Sequence, residues 1–241
     1  MSFLTVVVIG VFSITSPDVV AIFGHSKKLV PIYRVNTPEK KLSISFDAAW
    51  GADHTPEILR VLREHNIKTT FFLVGFWVED YPEMAKKIAE EGHEIGNHSS
   101  THPNMGGLSE QKILRELKQA HDIIKKYTGY EPKLFRPPFG DYSNRLIKTT
   151  REFGYEVIQW DVDSLDWKDL SAKAIEDRVL KKVKKGSIVL FHNNGKNTAK
   201  AIVPIIEKLQ SKGYKIVPIS ELLIKGNYYI DHTGEQQPGS S

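Results

Sequence analysis

The feature that most constrains this chain is a regular alternation, in which short apolar runs of strand character are each followed by a polar cluster and then by a stretch of helical periodicity. The runs are Leu42 to Phe46, Thr69 to Val74, Glu94 to Asn97, Lys133 to Arg136, Glu156 to Trp160, Ser187 to Phe191 and Tyr214 to Val217. Between them, apolar residues recur on one helical face, as in Ile58, Leu59, Val61 and Leu62, or Ile113, Leu114, Leu117, Ala120 and Ile124. Gly92, Gly129, Gly154, Gly186 and Gly213 each stand where a helix must stop before the next strand, and Ser109 and Ser171 are suited to open helices. Such an alternation dictates parallel strands joined by helical crossovers. Its number of units predicts an α/β fold, a barrel of parallel strands, with an open doubly wound sheet as the alternative.

In either arrangement the carboxyl ends of the strands gather at one face, so polar groups distant in sequence converge there. Asp47 closes the first run, where a carboxylate is costly unless it meets a cation or performs work; capping the next loop is its simpler role. His98 and His102 follow the third run at a spacing that lets two imidazoles share a divalent metal, as on successive helical turns. Arg136 precedes the rigid Pro137-Pro138-Phe139-Gly140 and is suited to clamp a carboxylate, with Asp47 the expected partner. Asp163 and Asp166-Trp167 form an acidic, aromatic turn, and His192 completes the apolar strand Ile188 to Phe191 as a general acid candidate. Taken singly, each has a structural explanation. Their coincidence at five strand ends favours a site.

With 241 residues, 40% hydrophobic and 26% charged, the chain has the composition of a globular domain. A net charge of +4 mildly favours anionic surroundings, while the dispersal of the charges speaks against nucleic acid. The absence of cysteine excludes disulfides and thiolate chemistry. Phe3 to Phe23 is mostly apolar, interrupted by Pro17-Asp18, and is read as an export signal or membrane anchor, with an extra packed helix as the alternative. The expected organisation is therefore an apolar signal- or anchor-like segment and linker over 1–38, one domain over 39–228, and a flexible tail over 229–241. The expected location is extracytoplasmic, secreted or membrane-anchored, facing the cell wall.

From Lys40 to Ile224 these residues resemble the NodB-type polysaccharide deacetylases, carbohydrate esterase family 4. The His-(Ser/Thr)-x-x-His motif is similar to His98-Ser99-Ser100-Thr101-His102, Arg-x-Pro-(Tyr/Phe) to Arg136-Pro137-Pro138-Phe139, Asp-x-x-Asp-Trp to Asp163-Ser164-Leu165-Asp166-Trp167, and Leu-x-His to Leu190-Phe191-His192. The resemblance implies a distorted (β/α)7-8 TIM-like barrel of parallel strands and hydrolysis of the acetamide of an N-acetylated sugar, in peptidoglycan or a chitin-like polymer, with a metal-bound water. It makes Asp47 the base, Arg136 its orienting partner, His98 and His102 metal ligands, and His192 the acid tuned by Asp163. It also places Trp167 and Leu190 around the acetyl group and the Phe139 backbone N–H at the oxyanion.

The first motif departs from the family. Where Thr-Phe-Asp-Asp-Gly is usual, the chain reads Ser45-Phe46-Asp47-Ala48-Ala49-Trp50-Gly51. Ala48 stands at the usual third metal ligand, and a methyl group coordinates nothing, so metal affinity is expected to fall by about 10- to 100-fold or more. Asp53 is the substitute carboxylate to consider, with His54 beside it. A divalent cation, zinc first, or no metal at all are both consistent with this donor set. Three readings follow: a deacetylase, a glycan-binding pseudoenzyme that holds sugar through Trp50 and Trp167, and a hydrolase of non-sugar amides.

Overall fold

The computed structural model describes residues 28–239. Eleven strands alternate with eight helices: β1 (Arg34–Val35), β2 (Lys41–Ala48), α1 (Thr55–Glu64), β3 (Thr70–Leu73), α2 (Gly75–Asp80), α3 (Pro82–Glu90), β4 (Glu94–Asn97), α4 (Glu110–Thr128), β5 (Leu134–Phe135), α5 (Asn144–Glu152), β6 (Glu156–Val157), β7 (Val162–Asp163), α6 (Ala172–Lys182), β8 (Ile188–His192), α7 (Thr198–Ser211), β9 (Lys215–Ile216), α8 (Ile219–Leu222), β10 (Tyr228–Ile230) and β11 (Glu235–Pro238). The main sheet runs β6-β5-β4-β3-β2-β8-β7, with β9 on β2, and all of its pairings are parallel. It curls into a half-barrel, as the strand–helix alternation predicts.

The helices form where their apolar faces meet this sheet. In α1, Ile58, Leu59, Val61 and Leu62 are buried and join Phe46, Phe71 and Phe191 in the largest core cluster. Each such side chain taken from water contributes about 1.5–3 kcal/mol. Pro56 presets the first turn of α1, and the Ser171 hydroxyl caps α6 by accepting from Ala174 N at 3.2 Å. Ser143 caps α5 in the same way, whereas Ser109 makes no side-chain cap.

Both ends of the domain extend beyond the expected boundaries. Ile32 and Val35 are fully buried. Ile32 donates to Val157 O at 2.9 Å and accepts from Gln159 N at 2.7 Å, while Val35 N donates to Gly186 O at 2.9 Å. This segment spans from β6 to the start of β8 and is structural wall, not linker. Gly186, at φ 76°, permits the contact, since a Cβ there would lie 1.7 Å from Val35 O. The expected tail over 229–241 likewise contains strands. β10 and β11 form a hairpin closed by a turn in which Asp231 accepts from Thr233 N at 2.8 Å, and β11 pairs in parallel with β1. Gln236 is buried and accepts from Ile224 N at 2.9 Å.

The apolar segment Phe3 to Phe23 lies outside the described residues. Among the described residues no helix is long and apolar enough to cross a membrane.

Candidate active site

The pleat and register of β2 set the site. Asp47 pairs with Phe72 on β3 and with His192 on β8, so the proposed base and acid stand side by side on adjacent strands. The Asp47 carboxylate is buried, and its Oδ1 accepts from Arg136 Nη1 at 2.7 Å. Arg136 is wholly enclosed. Its Nη2 donates to Ser45 Oγ at 2.9 Å and to Gln159 O at 3.2 Å, and its guanidinium lies 4.1 Å from the Phe72 ring centroid. Burial alone would raise the Asp47 carboxyl, but the charges of Arg136, His98 and His192 hold it below its ordinary range. The clamp expected between Arg136 and Asp47 is therefore present, with Ser45 and Gln159 as supports that the apolar pattern of the sequence did not reveal.

His98 follows β4 and is 2% exposed. Its Nδ1–H donates to Arg136 O at 2.7 Å, which leaves Nε2 facing Asp47 Oδ2 at 3.5 Å. Burial lowers its pKa. His102 comes close to it, with ring centroids 4.9 Å apart. The two do not lie on a helix, as their spacing suggested, but on a loop in which Ser99 (φ 69°) and His102 (φ 55°) are left-handed. Polar contacts hold that loop: His102 N donates to Ser99 Oγ at 2.9 Å, and Glu116 Oε2 accepts from Ser100 N and Thr101 N at 2.9 and 2.8 Å. The His102 ring lies between Trp50 and Phe139, at centroid distances of 4.7 and 4.5 Å. Burial and the neighbouring His98 push its pKa down to about 4.

His192 is oriented by Asp166. Its Nδ1–H donates to Asp166 Oδ1 and its backbone N–H to Asp166 Oδ2, both at 2.8 Å, while Thr198 Oγ1 donates to Oδ2 at 2.6 Å. Burial would lower the His192 pKa, but Asp166 first, then the charges of Asp47 and Asp163, raise it above its ordinary value. Asp163 thus contributes to the tuning expected of it, but Asp166 holds the imidazole and dominates. The Asp163 carboxylate instead accepts from Leu165 N at 2.8 Å and contributes only charge. The left-handed Leu165 (φ 57°) turns the chain so that Asp166, the next residue, is buried beneath the imidazole.

Asp47, His98, His102, Asp163 and His192 line a cavity of about 420 Å³, together with Ala49, Trp160 and Leu190. Trp50, Phe139 and Trp167 form its rim at 53%, 63% and 55% exposure. Three exposed aromatic rings around one cleft suit the stacking of a sugar face. Phe139 is left-handed (φ 59°), an uncommon state for an aromatic residue that costs on the order of 1–3 kcal/mol and clusters at functional sites. Asn193, missed in the sequence, ties the Trp50 loop down by donating to Gly51 O at 2.8 Å, and Trp77 Nε1 donates to the same oxygen at 2.7 Å.

The metal half of the site is less complete. Among the described residues no group of three His, Cys, Asp or Glu could hold a metal ion. Ala48 is fully buried in the core with Phe46, and it is Ala49 that faces the cavity. Asp53, expected as a substitute ligand, is exposed, and neither it nor His54 lines the cavity. Asp47 is engaged by Arg136. The donor set is thus two imidazoles, one short of the three protein ligands usual in a catalytic zinc site, and does not fit a tightly held cation.

Comparison with known proteins agrees with this geometry. Residues 34–158 match the family model described as polysaccharide deacetylase. The chain is 35% identical over 196 residues to a peptidoglycan-N-acetylglucosamine deacetylase of Bacillus cereus, covering 79% of this chain and 71% of that protein. It is 35% identical over 193 residues to YlxY of Bacillus subtilis, covering 80% of this chain and 60% of that longer protein. The crystal structure of a CE4 family pseudoenzyme from Bacillus anthracis aligns at a TM-score of 0.79 and 37% identity, over 81% of this chain and 69% of that one. A mutant of that pseudoenzyme, described as having restored enzymatic activity, aligns at the same TM-score. The chain belongs to the polysaccharide deacetylase family, which includes peptidoglycan deacetylases and is in general metal-dependent.

Proposed function

We propose that this domain hydrolyses the acetamide of an N-acetylhexosamine polymer of the cell envelope, peptidoglycan before chitin-like chains. The observation that carries the reading is the retained acid–base pair: Asp47 held by Arg136 and His192 held by Asp166, side by side on β2 and β8 and open to one cavity. Asp47, ionised, takes a proton from the attacking water; His192, protonated, delivers one to the leaving nitrogen as the C–N bond breaks, yielding acetate and a free amine. Trp50 and Trp167 stack the sugar, and Leu190 bounds the space for its acetyl group. The Phe139 N–H is suited to the developing oxyanion. With Ala48 in place of a ligand, zinc binds weakly or not at all through His98 and His102. The same reading places the domain outside the cytoplasm, with the apolar segment Phe3 to Phe23 as its export signal or membrane anchor. Acetate release from N-acetylglucosamine oligomers and from peptidoglycan, compared with release from simple amides, tests both the reaction and the substrate class.

A second reading is a glycan-binding protein without turnover. It is favoured by the missing ligand at Ala48 and by the likeness to a protein described as a pseudoenzyme. It predicts sugar affinity that survives His192→Ala and no acetate release from the unaltered chain.

A further inference from the structure

The catalytic groups sit at the carboxyl ends of β2, β4, β5 and β8. A second cavity, about 410 Å³, lies at the opposite face, where the amino ends of β5 and β6 meet α5 and α8. Lys133 immediately precedes β5, Arg151 is in the last turn of α5, and Lys225 follows α8; all three line this cavity. Among the described residues none of the three side chains joins an ion pair or donates a hydrogen bond.

The single carboxylate in the lining, Glu156, offsets only one of their three charges. Glu156 Oε1 accepts from Tyr228 Oη at 2.6 Å, and Glu156 Oε2 is shut away from solvent. The cavity therefore presents three unpaired cations, one of them a planar guanidinium, with Ser220 beside them. A dianionic, tetrahedral oxyanion satisfies such a set better than a singly charged carboxylate. Arginine can bind two of its oxygens at once, and the lysines act as point charges on the others.

We propose that this pocket of Lys133, Arg151 and Lys225 binds a phosphate group. It is a site distinct from the catalytic cavity and does not rest on the hydrolytic reading. The phosphate belongs either to a soluble phosphoester or to an anionic lipid headgroup.

The test is calorimetric titration of inorganic phosphate into the full chain at low ionic strength, with Arg151→Gln, Lys133→Gln/Lys225→Gln and His98→Ala beside it. Retained unfolding transitions establish that the variants are folded. One site of about millimolar affinity is expected, weakened about tenfold or more in each pocket variant and unchanged in His98→Ala. In a second arm, the full chain and the double variant are sedimented with phosphatidylglycerol or phosphatidylcholine vesicles. Extra retention on phosphatidylglycerol that disappears in the double variant assigns the group to a lipid headgroup. Phosphate binding without that retention assigns it to a soluble phosphoester. Binding of neither probe, binding that survives both pocket variants, or phosphate binding lost in His98→Ala overturns the proposal.

Discussion

The two halves of the catalytic cavity are unequally furnished. On the acid–base side every working group has a partner: Asp47 has Arg136, Arg136 has Ser45 and Gln159, and His192 has Asp166, which Thr198 holds in turn. On the metal side, His98 is oriented by Arg136 O, but the buried Nδ1 of His102 has no partner and Ala48 offers only a methyl group to the core. Keeping a buried arginine, an aspartate and a buried Asp–His pair in place is costly unless each is paired. The contrast sets a fully partnered Asp47–His192 pair beside an incomplete donor set of two imidazoles.

The comparison breaks most readily at the proton-transfer groups. Asp47→Asn and His192→Ala should each lower kcat for acetate release by about 10²- to 10⁴-fold while the fold is retained; a loss below tenfold would detach these residues from the chemistry. Removing Arg136 leaves Asp47 buried with its main counter-charge gone. Arg136→Met should cost about 3–5 kcal/mol in denaturant unfolding, and a cost near zero would mean that solvent reaches the pair. The metal half is sharpened by Ala48→Asp, which should raise zinc affinity in calorimetry by about 10- to 100-fold. The same change buries a carboxylate, so stability without metal should fall by about 1–3 kcal/mol. A zinc gain at Ala49→Asp in its place would assign the ligand position to the residue that faces the cavity.

The next effect is one of pH. In the proposed mechanism His192 acts while protonated, and its pKa is raised, so activity should persist above pH 6.5 and fall once the raised value is passed. Asp166→Asn leaves burial, the lowering influence, without its main opponent, and the alkaline limb should move to lower pH. A limb that stays in place would make Asp163, not Asp166, the main tuning group. The smallest effect expected is at the rim: Trp50→Ala should raise KM for oligosaccharides by about two- to tenfold with little change in kcat, since it removes stacking and not chemistry.

The residues at strand ends were legible because each breaks an apolar run: Asp47 after Phe46, Arg136 after Phe135, His192 after Phe191. What the alternation could not convey was the local turn. Asp163 and Asp166 are equivalent as letters, and only the left-handed Leu165 decides which carboxylate lies under His192. The same limit applies to His98 and His102, whose spacing fits a helix but whose backbone is a left-handed loop braced by Glu116. At the ends of the domain, two-residue β1 carries no periodicity of its own. It exists because Gly186 admits Val35 and because β11 pairs beside it, and both depend on residues more than a hundred positions away.

The most direct test of the central claim is acetate release from N-acetylglucosamine oligomers by the unaltered chain, measured beside His192→Ala. The account predicts release by the former and about 10²-fold less or none by the latter. No release by the unaltered chain, with oligosaccharide binding intact in both, would contradict it and make the domain a binder of the glycan that its relatives cut.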